Sequence, residues 1–480
     1  MPKPPEKHQT GTKTHYFVPK MRITATVNQQ EAHPPDLFRG LNSIAHCTMK
    51  RLMTTILALA LLTATHPISA QTYTPTPENL KARQEFADSK FGIFLHWGLY
   101  SMFAQGEWYM NRGIDSKEYA KAAQAFYPHL FDAEQWVSAI KASGARYICF
   151  TSRHHEGFSM WDTKQSDYNI MNTPYGKDVI RQLADECHRQ GIKLHLYYSH
   201  IDWTREDYPA GRTGRNTKSL DNPDWRGYYN FMNAQLTELL TQYGEIGAIW
   251  FDGWWDHDSD STAFDWELPY QYELVHRLQP ACLVGNNHHQ APFEGEDIQI
   301  FERDVPGENK AGLSGQEISR LPLETCQTMN GMWGYKVADQ NYKSTTELIR
   351  LLVQTSGKGA NLLLNIGPQP DGTLPATALS RLSDIGQWLS ANGDAIYGTT
   401  SGGYTDGENI VTTRKGDRLF IHIIGESVNS VDIPLEGKIK SVVTFADRTP
   451  LQYKHRNGRL TLDVTIPANT PDYIIEVTLR

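Results

Sequence analysis

Between about residue 91 and residue 400 the chain alternates two apolar patterns. Short apolar runs of strand length recur, several ending on polar residues, and longer stretches between them carry apolar residues on one helical face. Residues 91–98, 146–151, 193–199 and 247–252 read as strands. Residues 282–285, 298–301, 323–329 and 361–367 are further strand candidates. Helical patterns fill 132–144, 178–190, 225–243, 268–278, 345–355 and 375–391. In 178–190, Val179, Ile180, Leu183 and Cys187 share a face and Gly191 closes the pattern. Asp132 with Gln135 reads as a capping box before the first of these helices. Unbroken apolar runs such as Ala248-Ile249-Trp250-Phe251 suit strands buried on both faces, as in a parallel sheet covered by helices. Strands separated by helices predict βαβ units, and at least seven of them predict an α/β fold, a (β/α)8-like (TIM-type) barrel. From residue 401 the period shortens. Residues 418–424, 441–445, 459–464 and 473–477 read as strands joined by Gly, Asn and Pro turns, which predicts a C-terminal all-β sandwich over 401–480.

The first seventy residues carry neither pattern. Residues 1–48 are polar and aperiodic and read as an over-long gene start with no fold of its own. Residues 49–70 hold a basic start, an apolar run too short to favour a membrane span and a small-residue end, the layout of a secretory signal peptide. That leaves 71–400 for the barrel and predicts a periplasmic or secreted protein. Gln71, not Cys, follows the cut, so no membrane anchor remains. The net charge of −8 comes from interspersed signs with no basic stripe, which argues against nucleic acid as a partner. Four cysteines follow the leader, widely spaced and in apolar surroundings, and read as buried thiols.

Candidate chemistry lies at the carboxyl ends of the barrel strands, where such folds place their sites. His96-Trp97, His154-His155, Tyr198 and Asp252 end four successive strands, and Phe94 shares the face of His96 by period two. Three histidines raise a metal site, but adjacent His154 and His155 point apart on a strand and no HExxH or HxH motif is present. The reading is no metal and no cofactor. Paired carboxylates are the other route. Glycoside hydrolysis needs one to attack or activate water and one to protonate the leaving oxygen. Asp252 is the nucleophile candidate, and residues 295–309 offer Glu296, Asp297, Glu302, Asp304 and Glu308 for the acid. Spacing alone leaves that choice open. The 12 Trp and 23 Tyr fall often in loops and hint at sugar-stacking faces.

The chain resembles the α-L-fucosidases of glycoside hydrolase family twenty-nine. The likeness rests on Phe91-Gly-Ile-Phe-Leu-His-Trp-Gly98, Gly106-Glu-Trp108, Arg153-His-His155, Leu196-Tyr-Tyr-Ser199, Trp250-Phe-Asp-Gly253, Met332-Trp-Gly-Tyr335 and Asn361-Leu-Leu-Leu-Asn-Ile-Gly-Pro368. It implies an exo-acting retaining hydrolase of terminal α-L-fucose on oligosaccharides or glycans, with Asp252 as nucleophile. Glu302 matches the acid/base segment best, ahead of Glu308 and then Glu296. It also implies a fucose pocket of His96, Glu107, Trp108, His154, His155, Tyr198 and Trp333, with Phe94 beside the sugar's methyl group. Where many members carry an Arg after the fifth strand, this chain has Gly285-Asn-Asn-His-His289, and His288 is the expected substitute. The two carboxyls are expected about 5 Å apart, with the acid's pKa raised by burial beside an ionised Asp252. A barrel glycosidase acting on another sugar such as galactose, and a non-catalytic sugar-binding protein, are the alternatives; an oligomer is compatible with either reading.

Overall fold

In the computed structural model, which describes residues 73–214 and 223–480, the run ending at Asp252 becomes a strand of an eight-stranded parallel sheet. Its strands are β1 (Phe91–Leu95), β2 (Tyr147–Arg153), β3 (Lys193–Ser199), β4 (Ala248–Asp252), β5 (Leu283–Asn286), β6 (Gln299–Glu302), β7 (Leu323–Thr328) and β8 (Asn361–Ile366). They pair in the order β5-β4-β3-β2-β1-β8-β7-β6. A parallel bridge between Gly285 and Ile298 joins the two ends, and the backbone N–H groups of Asp297 and Ile298 both donate to Val284 O. The sheet is therefore a barrel, closed at its thinnest point between β5 and β6. The stretches read as an over-long gene start, 1–48, and as a signal peptide, 49–70, lie outside the described residues.

Period-two alternation sorts the strands' side chains. Ile93, Leu95, Leu196, Tyr198, Ile249 and Phe251 face outward into the main core. Helices close that core: α1 (Pro77–Ser89), α2 (Ser116–Ala120), α3 (Ala133–Ala142), α4 (Val179–Gln190), α5 (Trp225–Gln242), α6 (Leu268–Leu278), α7 (Thr345–Gly357) and α8 (Ala376–Asn392). Phe94, Tyr147, Cys149, Tyr197, Trp250, Ile300 and Leu363 face inward and fill the lumen. Gly92 is small because a Cβ there would stand 2.4 Å from the Tyr147 ring. Asp132 caps α3 by accepting from Gln135 N at 3.0 Å, and Gly191 ends α4 in the left-handed region at φ 72°.

Helix α1 has no counterpart in the sequence reading. Thr76 caps it and Pro77 starts it, but its apolar face is weak. No helix separates β5 from β6 or β6 from β7 among the described residues. The loops standing there instead supply one wall of the site.

Beyond α8, two antiparallel sheets follow. The larger orders β13-β16-β11-β10-β9 and the smaller β12-β15-β14. Their strands are β9 (Thr400–Thr405), β10 (Ile410–Lys415), β11 (Arg418–Ile423), β12 (Ser430–Pro434), β13 (Ile439–Thr444), β14 (Lys454–Arg456), β15 (Arg459–Asp463) and β16 (Tyr473–Leu479). Leu419, Ile421 and Ile475 of one sheet pack with Val431, Ile433 and Leu460 of the other, as a sandwich requires. The four cysteines described are buried free thiols.

Candidate active site

Asp252 is the last residue of β4, 8 % exposed and inward-facing. Its Oδ1 accepts from Gly253 N at 2.8 Å and Trp255 Nε1 at 2.9 Å; its Oδ2 accepts from Tyr197 Oη at 2.9 Å. His155 Nε2 lies 3.6 Å from the same Oδ2. Glu302 is the last residue of β6. Its Oε2 accepts from Asn287 Nδ2 at 2.9 Å and His289 Nε2 at 3.1 Å. Asn287 Nδ2 also reaches Asp252 Oδ1 at 3.4 Å. One nitrogen thus touches both carboxylates. The oxygens it joins are no more than 3.4 Å plus 2.9 Å, or 6.3 Å, apart.

The cavity between them measures about 850 Å³ and opens at the carboxyl ends of the strands. Phe94, Trp250 and Cys326 floor it, above the packed lumen. His96, His154, His155, Trp108, Trp255 and Trp333 form its sides. Burial holds all three histidines neutral: His96 is pushed down to about 3, and His154 and His155 lie well below the ordinary imidazole value. His96 Nδ1 donates to Asn365 Oδ1 at 2.7 Å, which leaves Nε2 free to accept. His154 stacks on Tyr197 with ring centroids 5.2 Å apart. Phe94 meets Trp250 edge-on at 5.1 Å and Trp333 at 6.1 Å, an apolar corner in a polar pocket. Among the described residues, no group of three or more His, Cys, Asp or Glu side chains could hold a metal ion.

Several sequence expectations need correction. Tyr198 is outside the cavity: its hydroxyl donates to Gln235 and its ring packs in the outer core. Tyr197, one residue earlier, faces inward, as its alternation with Leu194, Leu196 and Tyr198 allows. Glu107 is buried close enough to Glu302 that burial and, after it, the Glu302 charge raise its carboxyl, and its Oε2 accepts from Gly334 N at 2.7 Å, bracing the segment that carries Trp333. His288 is turned away and bonds Glu296 at 2.9 Å; His289 reaches the cavity instead. Glu296 is further fixed by Tyr272, and Glu308 pairs with Lys310 at 2.8 Å, so of the three acid candidates Glu302 is the one lining the cavity. His154 and His155 both line it, although strand alternation sets them apart, because β2 ends at Arg153 and a turn carries them. Asn287, His289 and Trp255 line the cavity without a site role in the sequence reading, and only their proximity to strand ends marks them.

The expected order of acidities is also reversed. Burial and the Glu302 charge push Asp252 up to about 6, against hydrogen bonds from Trp255 and Tyr197. Burial raises Glu302 too, but His289, Asn287 and Arg303 outweigh it and leave Glu302 below its ordinary value. These contacts favour the Glu302 anion and the protonated form of Asp252.

A barrel carrying two carboxylates at the ends of inward-facing strands, across a pocket of neutral histidines and indole faces, has the arrangement of a glycoside hydrolase. The α-L-fucosidase family model matches residues 60–394, and the chain belongs to that family. It is 31 % identical over 385 residues to an α-L-fucosidase of Dictyostelium discoideum, covering 72 % of this chain and 79 % of that one. It is 31 % identical over 366 residues to the human plasma α-L-fucosidase, covering 69 % and 73 %. The solved α-L-fucosidase isoenzyme 1 of Paenibacillus thiaminolyticus superposes with a TM-score of 0.74 at 33 % identity, over 84 % of this chain and all of that one.

Proposed function

We propose that this α-L-fucosidase is exo-acting and retaining, with Asp252 as nucleophile and Glu302 as acid/base. The observation that carries the reading is Asn287 Nδ2, within reach of both carboxylates. Its 6.3 Å ceiling falls below the separation of about 6.5–9.5 Å that an inverting pair needs to admit a water. The floor of Phe94, Trp250 and Cys326 ends the cavity and suits a terminal residue. The Phe94 corner fits the C6 methyl, and the histidines offer donors and acceptors to the hydroxyls. In the first step an Asp252 oxygen attacks the anomeric carbon while Glu302 gives its proton to the departing oxygen. In the second, Glu302 takes a proton from water, whose oxygen attacks the same carbon and frees Asp252.

The signal-peptide pattern read in residues 49–70 of the sequence supports a periplasmic or secreted location, and no helix among the described residues is long and apolar enough to cross a membrane. The barrel domain is assigned to 71–400 and the sandwich to 401–480. Asp252→Gly is expected to lower kcat on an aryl α-L-fucoside by about a thousandfold or more, about 4 kcal/mol of transition-state stabilisation. NMR of the anomer first released should show the α form. Near-parental turnover, or β-fucose first, overturns the assignment.

A further inference from the structure

The turn after β5 spends backbone strain to place one side chain. His289 sits at φ +63°, a region that costs a non-glycine residue free energy and that structures tend to retain where it serves a site. His288 anchors the turn on both sides: its Nε2 meets Glu296 at 2.9 Å and its Nδ1 accepts from Gln290 N at 3.0 Å. The result swings His289 into the cavity, with Nε2 3.1 Å from Glu302 Oε2.

We propose that His289 is a positioning residue for the acid/base: its Nε2–H fixes Glu302 Oε2 in the geometry of a general base, so it serves the second half of the reaction and opposes the first. This rests on Glu302 being the acid/base. With Asn287 also donating, two hydrogen bonds converge on Oε2. Both favour the anion, which can accept them, over an acid that must keep a proton to donate.

Of the other groups facing Glu302, Arg303 also favours the anion, from a greater distance and without a hydrogen bond. Asp252 of β4 and Glu107 of the loop after β1 are acidic and favour a protonated Glu302. His96, just past β1, is neutral, and burial pushes Tyr197 of β3 and Cys326 of β7 away from ionisation. Arg303, next in sequence, has its Nε 3.9 Å from Oε1 and lies over the Trp333 ring. Arg212, Asp258 and Glu317 line the same cavity, and Arg212 pairs with Asp258 at 3.5 Å. The short contacts from the β5 loop therefore belong to His289 and Asn287.

The test is the pH profile of kcat/KM on an aryl fucoside with a poor leaving group, whose first step needs the acid. Glu302 must then carry its proton, so losing a donor to its anion lets it stay protonated to higher pH. His289→Ala should move the basic limb up by about one pH unit, the size of one charge-assisted hydrogen bond. His289→Gln, whose Nε2 can take the place of the imidazole's, should return the limb towards the parent. On a substrate with a good leaving group, where the second step limits, His289→Ala should lower kcat more than it lowers kcat/KM on the poor one. His289→Gly removes the side chain and the strain together and should repeat the alanine result if alanine folds poorly. A uniform loss at every pH, or identical Ala and Gln profiles, overturns the proposal. Glu302→Ala separates the two layers. If it loses the basic limb and azide restores turnover of the activated fucoside while His289→Ala leaves the parental limb in place, only the His289 role falls. If Glu302→Ala keeps that limb, the acid/base reading falls and the His289 role with it.

Discussion

Tyr197 and Tyr198 show how much one position decides at a strand. Tyr197 Oη donates to Asp252 at 2.9 Å, and Tyr198 Oη donates to Gln235 at 2.8 Å on the other side of the sheet. The same substitution should therefore act on different properties. Tyr197→Phe removes a hydrogen bond to the carboxylate proposed as nucleophile, which must be ionised to attack, a contact of about 1.5–3 kcal/mol. The kcat/KM is expected to fall about 10- to 100-fold. Losing that donor also raises the Asp252 pKa further above its present value of about 6, so the acid limb of the profile should move to higher pH. Tyr198→Phe leaves a buried Gln235 oxygen without its donor and should cost stability of about 1–3 kcal/mol. Its pH profile should match the parent. Steady-state profiles with thermal melts on both variants check this, and an intact Tyr197→Phe profile would remove Tyr197 from the site.

Most elements were legible because their signals are local. The helices over 178–190 and 268–278 and the strand over 193–199 show in the sequence, since periodicity, caps and turn residues lie within each segment. Helix α1 was missed because only its caps are distinctive. The site was legible as far as strand ends go: Phe94, His96, Asp252 and Glu302 all line the cavity. What the sequence hides is contributed by loops. The His288 and His289 exchange depends on a left-handed backbone, and the acidity order depends on the donors that this loop brings to Glu302. Gly253 is an element-level requirement. It leaves β4 at φ +103°, its N–H donates to Asp252, and a Cβ there would stand 2.7 Å from Ile201. Gly253→Ala should destabilise the fold by about 1–3 kcal/mol and lower kcat as Asp252 shifts. Chemical denaturation together with turnover measures both, and a variant unchanged in each would contradict the strain described.

At the scale of the whole molecule, the lumen below the cavity holds a carboxyl that the reaction does not use. Glu324 is fully buried, accepts from Tyr147 Oη at 2.6 Å and Trp250 Nε1 at 2.9 Å, and is pushed by burial up to about 7. An unfolded Glu ionises near 4.5, so the folded chain binds this proton more tightly. The stability it contributes is complete below about pH 4.5 and is lost as pH rises through about 7. Asp252, at about 6, acts in the same direction. The buried histidines act oppositely. His96 and His195, both pushed down to about 3, stay neutral in the fold while the unfolded chain protonates them below about 6.5. Stability should therefore peak near pH 6–7 and fall on both sides. Glu324→Gln isolates the carboxyl. It gives up one acceptor at every pH, a constant cost of about 1 kcal/mol, but cannot ionise. Its melting temperature relative to the parent should climb from pH 5 to pH 8.5 by the equivalent of a few kcal/mol. A difference that stays flat across that range would mean Glu324 ionises in the lumen at no cost, and that water or a cation reaches it past the Trp250 floor.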